Sequence, residues 1–328
     1  MKFDNYTQYG IHEETERLVL TTYSATVFTS SLIGDVLILI GSLRYNAIKL
    51  HRLLVLIIQY IALADLLLTV FRTLPTAVSL AANRWMFGEL FCRVGYFVYA
   101  TVGGTLTLLI TSLSFTKLLI VWYPLRAICF PNKIAHLATL FFFAYVFVLV
   151  ALANVSCVDD IYFSYSIYDC EMDRSQSRDS GWTVKISFML AGLTMIICIA
   201  VLAVSCVMLI VIAKRITDRG PDGLQWQGII TVVVTVAVFV VGILPMAVYF
   251  LVSTIVALPW EWEFYFWRVA YSMTGLIMLS NFYIYAFTIS SFRQFLKSRI
   301  KLISAPFVRC CGTKGTEKGE RQRLLNGQ

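Results

Sequence analysis

The chain has 328 residues, of which 59% are apolar and 14% charged, with a formal charge of +8 and a mean hydropathy of +0.76. Soluble domains run at about 45–50% apolar and about 25% charged, so a disordered chain, a collagen-like fibre and an ordinary cytosolic enzyme are excluded. An integral membrane protein remains.

Seven apolar runs follow in chain order, at 18–43, 53–82, 94–121, 134–157, 182–213, 226–258 and 264–289. Each reaches the roughly 20 residues that a helix needs to cross a hydrocarbon core of about 30 Å. Lipid offers the backbone no hydrogen-bonding partner, so the runs are expected to be helices, and their continuous apolar character argues against barrel strands. The predicted fold is all-α, a seven-transmembrane helix bundle over 18–289. An outer segment at 1–17 precedes it. An amphipathic surface helix at 290–302 and an inner tail at 303–328 follow.

Basic residues set the expected orientation. With the N-terminus outside, 18 of the 27 basic residues fall on the inner side, against four acids there. Residues 1–17 are polar, with Asp4, Glu13, Glu14 and Glu16, so no cleavable signal is expected and the first helix serves as the insertion signal. Asn5-Tyr6-Thr7 in that segment is an N-glycosylation acceptor pattern. A second triplet, Asn154-Val155-Ser156, sits at a helix end and is read as a cap.

Ionisable groups within spans are functional candidates by default. Asp35, Asp65 and Asn281 lie about 12, 18 and 12 Å from the inner ends of helices one, two and seven at 1.5 Å per residue, one band of the bilayer. Such a cluster suits water, a proton or a small cation, or simply a packing knot. Arg72 lies seven residues beyond Asp65; at about 100° per residue it returns to within about 20° of the same face. A guanidinium there is suited to a carboxylate or phosphate, or to an internal acid.

Of eight cysteines, Cys92, Cys157 and Cys170 lie on or near the outer face, where a disulfide persists. Cys92 with Cys170 is the preferred pair, and Cys157 is the competitor. Gly103-Gly104 on helix three permit close approach by a helix or a ligand. Pro245 interrupts helix six and removes one backbone hydrogen bond, giving its inner half a hinge. After helix seven, apolar residues 292, 295, 296 and 300 with cations between them describe the surface helix on an anionic leaflet. Cys310-Cys311 in the basic tail are candidates for S-acylation. His12, His51 and His136 are scattered, so no nucleophile with an adjacent base points to an enzyme. Anionic lipid accounts for the basic tail without nucleic acid.

Several segments share an order and spacing: Leu63-Ala64-Asp65, Trp85-Met86-Phe87-Gly88 before Cys92, Thr116-Lys117-Leu118, Pro124-Leu125, Pro245, and Asn281-Phe282-Tyr283-Ile284-Tyr285. Together they resemble the rhodopsin-like (class A) G-protein-coupled receptors over roughly residues 20–300. The resemblance implies a plasma-membrane receptor that binds an outside ligand and moves helix six, opening a cavity near Lys117 for a heterotrimeric G protein or an arrestin. Asp35, Asp65, Thr116, Lys117, Pro245, Asn281 and Tyr285 would carry activation and coupling. It implies no organic cofactor, and sodium at Asp65 is the one metal it raises.

The chain departs from the family pattern at named positions. Asp35 replaces the helix-one asparagine, Thr116-Lys117-Leu118 the Asp-Arg-Tyr triplet, Ile243 the helix-six tryptophan and Phe282 the helix-seven proline; Leu106 stands where serine is usual. Tyr99 occupies the place of the amine receptors' aspartate and Gly275 that of the retinal lysine, so an amine and a retinal Schiff base are both set aside. By resemblance the pocket is lined by Arg72, Tyr99, Ala100, Gly103, Met246, Phe250 and Tyr271, which suits a lipid-like ligand, a small acid or a peptide terminus. Two alternatives stay open: a scavenging or scaffolding receptor that does not use G proteins, and a transporter with Asp35, Asp65 and Arg72 as a charge relay.

Overall fold

The computed structural model describes residues 14–45, 48, 50–123, 131–154, 161–164, 169–172, 182–217, 223–255 and 260–299. Asn5, Cys129, Cys157, Cys310 and Cys311 lie outside them. The helices are α1 (Glu14–Tyr45), α2 (Arg52–Ala82), α3 (Gly88–Trp122), α4 (Asn132–Asn154), α5 (Trp182–Thr217), α6 (Gly223–Ile255), α7 (Trp260–Thr288) and α8 (Ser290–Arg299). They match the seven apolar runs and the surface helix. Over the described residues, α1 to α5 are each long and apolar enough to cross a membrane. Ser272–Thr288 of α7 passes the same test only when counted together with α8, from which it is bent by 99°, and the described apolar stretch of α6 is the shorter Ile229–Pro245.

Between α4 and α5 stands an antiparallel hairpin, β1 (Ile161–Ser164) with β2 (Asp169–Met172), which pairs Phe163 with Cys170. The branched and aromatic residues of Ile161-Tyr162-Phe163 favour strand. A disulfide joins Cys170 to Cys92 at the start of α3, so the hairpin is tied across one end of the bundle.

α2 is not one uniform helix. It is α-helical over Arg52–Leu68, π-helical over Thr69–Thr73 and α-helical again over Leu74–Ala82. Leu74 donates its N–H to the carbonyl of Thr69, five residues back. Pro75 has no N–H for the carbonyl of Phe71, and a Cβ on Gly95 of α3 would lie 3.4 Å from that oxygen. The helix ends in a Schellman arrangement, with Arg84 N–H on Ser79 O at 3.1 Å, Asn83 N–H on Leu80 O at 3.4 Å and Asn83 at φ 53°.

The apolar core runs the length of the bundle between α2, α3, α5, α6 and α7 and includes Ile61, Leu109, Ile110, Leu202, Phe239 and Ile277. The adjacent glycines of α3 have different partners. A Cβ on Gly104 would meet Val146 of α4 at 2.7 Å, whereas one on Gly103 would meet only Tyr99, at 3.9 Å. At the opposite end from the hairpin, Phe292 of α8 is fully buried. Its ring stands 6.3 Å from Phe282 of α7, and a Cβ on Gly41 of α1 would lie 3.1 Å from it. Arg293 and Lys297 on the other face of α8 are exposed, the division that the amphipathic pattern predicts.

Candidate functional site

Three groups of residues follow one another from the hairpin end to the α8 end. Nearest the hairpin, Arg72 projects from the π-helical turn of α2 toward α3, where its guanidinium carbon lies 3.5 Å from the ring centroid of Tyr99. Arg72 is only 7% exposed. Around the pair stand Phe71, Trp85, Phe91 and Tyr96, with Gly95 and the disulfide closing the niche. Its free space is about 10 Å³, room for one water. Trp85 donates its indole N–H to Gly88 O at 2.8 Å, and Trp85, Phe87 and Phe91 pack ring against ring.

The π turn was not legible in the sequence. An i, i+5 turn holds an extra residue relative to an α turn, so counting at about 100° per residue does not carry the face of Asp65 on to Arg72. Ala100 and Gly103 continue along α3 from Tyr99, both half-buried, and Leu106 is buried below them. Met246 and Phe250 lie on α6 and Tyr271 on α7, with side chains outside those described. Gly275 packs against Tyr23 of α1, and a Cβ there would lie 2.7 Å from the phenol oxygen, which leaves no space for a longer side chain.

Midway along the bundle, Asp65 is fully buried and its Oδ2 accepts a hydrogen bond from Asn281 Nδ2 of α7. Thr69 donates both its N–H and, at 2.8 Å, its hydroxyl to the Asp65 carbonyl. Asp35 is buried beside this pair, close enough to interact with it as a charge. Among the described residues, both carboxylate oxygens of Asp35, Oδ1 of Asp65 and the hydroxyls of Ser31 and Tyr285 are buried without a hydrogen-bond partner. Ser31 lies one turn from Asp35 on the same face of α1. These are hard oxygen donors, the type that a small cation, a proton or water satisfies. Leu106 of α3 adds no oxygen to the set.

At the α8 end, Lys117 is 5% exposed, and its ammonium has no hydrogen-bond or ion-pair partner among the described residues. Thr116, where an acid would restrain it, is half-buried, and Leu118 is buried. His51 caps α2 by accepting the Leu53 N–H on Nδ1 at 3.4 Å. Partial burial holds the His51 imidazole below its ordinary pKa of 6.5, and the charge of Lys117 pushes in the same direction. In the sequence His51 is only one of three scattered histidines; its place just before an apolar run is the signal for the cap.

Pro245 lies inside a continuous α6, two residues from buried Ile243. Gly242 is in close contact with the Ile277 side chain of α7 and lies 3.2 Å, measured from an added Cβ, from the Met273 carbonyl. Thr231 of α6 donates to Thr288 of α7 at 2.8 Å. The two helices are therefore tied at and below the proline.

One family model, described as 7 transmembrane receptor (rhodopsin family), matches residues 34–291. No curated protein matches the chain significantly.

Proposed function

The chain belongs to the rhodopsin family of seven-transmembrane receptors, and from that premise we propose that it is a plasma-membrane receptor signalling through heterotrimeric G proteins. In this reading the hairpin end faces outside, since a disulfide persists in an oxidising compartment and basic residues concentrate toward the other end. The ligand enters from the hairpin end and is a small acid, a lipid-like molecule or a peptide terminus rather than an amine. Asn5 would carry a glycan outside, and Cys310 and Cys311 would anchor the tail by acylation inside. The oxygens of Asp35 and Asp65 would hold a sodium ion if one enters.

The observation that carries the coupling proposal is Lys117, a buried cation at the inner end of α3 with no carboxylate on it among the described residues. Ligand binding can bias a pre-existing equilibrium in proportion to its differential affinity for the two states. Here the biased element is the inner half of α6, hinged at Pro245, whose outward movement uncovers Lys117. Thr116, Lys117 and Leu118 favour a second reading, a receptor that recruits arrestin and internalises ligand without G-protein exchange.

Spin labels at Lys133 of α4 and Ile230 of α6, on the receptor in lipid nanodiscs, test the movement. Addition of a nucleotide-free heterotrimer should lengthen the distance between labels. A distance unchanged by every G-protein class, but lengthened by arrestin, would establish the second reading instead.

A further inference from the structure

Helices α2 and α4 both start at the α8 end of the bundle and run side by side, and two polar contacts join them there. With the Asn132 amide oriented to satisfy both partners, its oxygen accepts from Arg52 Nε at 2.9 Å and from Arg52 Nη2 at 3.2 Å. One turn further along α4, His136 Nδ1 and the Tyr60 hydroxyl share a hydrogen bond, with the two rings edge to face at 5.8 Å. We propose that this end of the α2–α4 cleft binds a membrane lipid with a phosphomonoester headgroup, held by Arg52, Lys133 and His136. The site needs only the orientation already given, with the α8 end at the inner leaflet, and not G-protein coupling.

Charge sets the headgroup. Arg52, Lys133 and His136 are all exposed. No aspartate or glutamate occurs from 36 to 64 or from 90 to 158, so neither helix, nor the chain just before it, contains an acid that could cancel these cations. Asn132 is neutral, so its contact positions the Arg52 fork without removing the charge, and leaves the outer edge of the guanidinium directed to an oxyanion. Two permanent cations match a phosphomonoester, about −1.5 to −2 at pH 7, better than the single charge of a phosphodiester lipid.

His136 sets the depth. Ionisable side chains within a span ordinarily turn to the bundle interior; His136 is exposed on the same face of α4 as Lys133, Leu137 and Leu140. A phenol donating to Nδ1 puts the ring proton on Nε2, which then donates outward. His136 lies about 6 Å along α4 from Asn132 at 1.5 Å per residue, so phosphates are met at two levels: the phosphodiester at His136, and the monoester beyond it at Arg52 and Lys133. Deeper in the bilayer, exposed Leu137 and Leu140 of α4 and Leu63 of α2 give the acyl chains an apolar path.

The test uses the full chain in phosphatidylcholine nanodiscs with three guest lipids of the same acyl chains: phosphatidylinositol monophosphate, phosphatidylinositol and phosphatidylserine. Native mass spectrometry reads their relative affinities. The monophosphate should bind at least about 10-fold tighter than phosphatidylinositol, as expected where charge-assisted bonds to the added phosphate form. The double variant Arg52→Gln/Lys133→Gln should bring that ratio to about 1. His136→Phe should weaken all three lipids alike and leave the ratio standing, and so should Arg293→Gln/Lys297→Gln on α8 leave it. A photoreactive acyl chain on the monophosphate should label 56–63 of α2 or 134–141 of α4. Unfolding midpoints of each variant separate loss of binding from loss of fold.

The proposal is overturned if phosphatidylinositol or phosphatidylserine binds as tightly as the monophosphate, if the double variant keeps the preference, if the α8 variant abolishes it, or if labelling falls outside α2 and α4. Binding as stated without nucleotide exchange on any G protein would leave the site standing and remove the signalling proposal; exchange without this binding would do the reverse.

Discussion

Phe282 of α7 occupies the space that Gly34 of α1 leaves open, so that a Cβ on Gly34 would lie 2.5 Å from the Phe282 Cβ. The residue that replaces the family's helix-seven proline is thereby accommodated by a glycine next to Asp35, and α7 runs through position 282 as continuous helix. Gly34→Ala should destabilise the receptor by about 1–3 kcal/mol through overpacking. Phe282→Ala should be destabilising alone but should remove the penalty of Gly34→Ala in the double variant. Thermal unfolding of the four proteins in nanodiscs measures this; additive losses would show that the two side chains do not compete.

Asp35 brings to the buried cluster a carboxylate with neither oxygen hydrogen-bonded among the described residues. Asp35→Asn, which restores the family's residue, should raise the unfolding midpoint by a few degrees, because an amide can donate where a second carboxylate cannot. Asn281→Ala should lower it, since Oδ2 of Asp65 loses its donor and intramembrane hydrogen bonds contribute about 0.6–1.7 kcal/mol.

His51 predicts a pH dependence of defined sign. Its pKa is held below 6.5 in the folded protein, so between the folded value and 6.5 the unfolded chain binds the extra proton. Stability should be flat above this window and fall as the pH falls through it. The protonated ring would also lose the Nδ1 lone pair that caps α2. Midpoints compared at about pH 7.5 and about pH 5.5 should differ in the wild type, and by less in His51→Asn, which keeps a cap that does not titrate.

The bundle itself was legible because lipid leaves the backbone few options, so seven apolar runs become seven helices. The surface helix was legible from the spacing of Phe292, Phe295 and Leu296. What escaped depended on partners distant in sequence. The π turn at Thr69–Thr73 follows from Pro75 meeting the contact with Gly95, and a helical count alone contains neither. The division of labour between Gly103 and Gly104 requires knowing that Val146 lies opposite. Asp65 and Asn281 were readable as depths in the bilayer, but the orphaned oxygens of Asp35 emerge only when all the neighbours are in place.

The most direct test of the receptor account is nucleotide exchange on a panel of G proteins in cells expressing the intact chain, beside Lys117→Ala and Pro245→Ala at matched surface levels. The account predicts basal exchange above the empty-cell control on at least one G protein, because no carboxylate among the described residues restrains Lys117, with loss in Lys117→Ala and reduction in Pro245→Ala. Exchange that is undiminished in Lys117→Ala, or absent from every G protein at full surface expression, would contradict it.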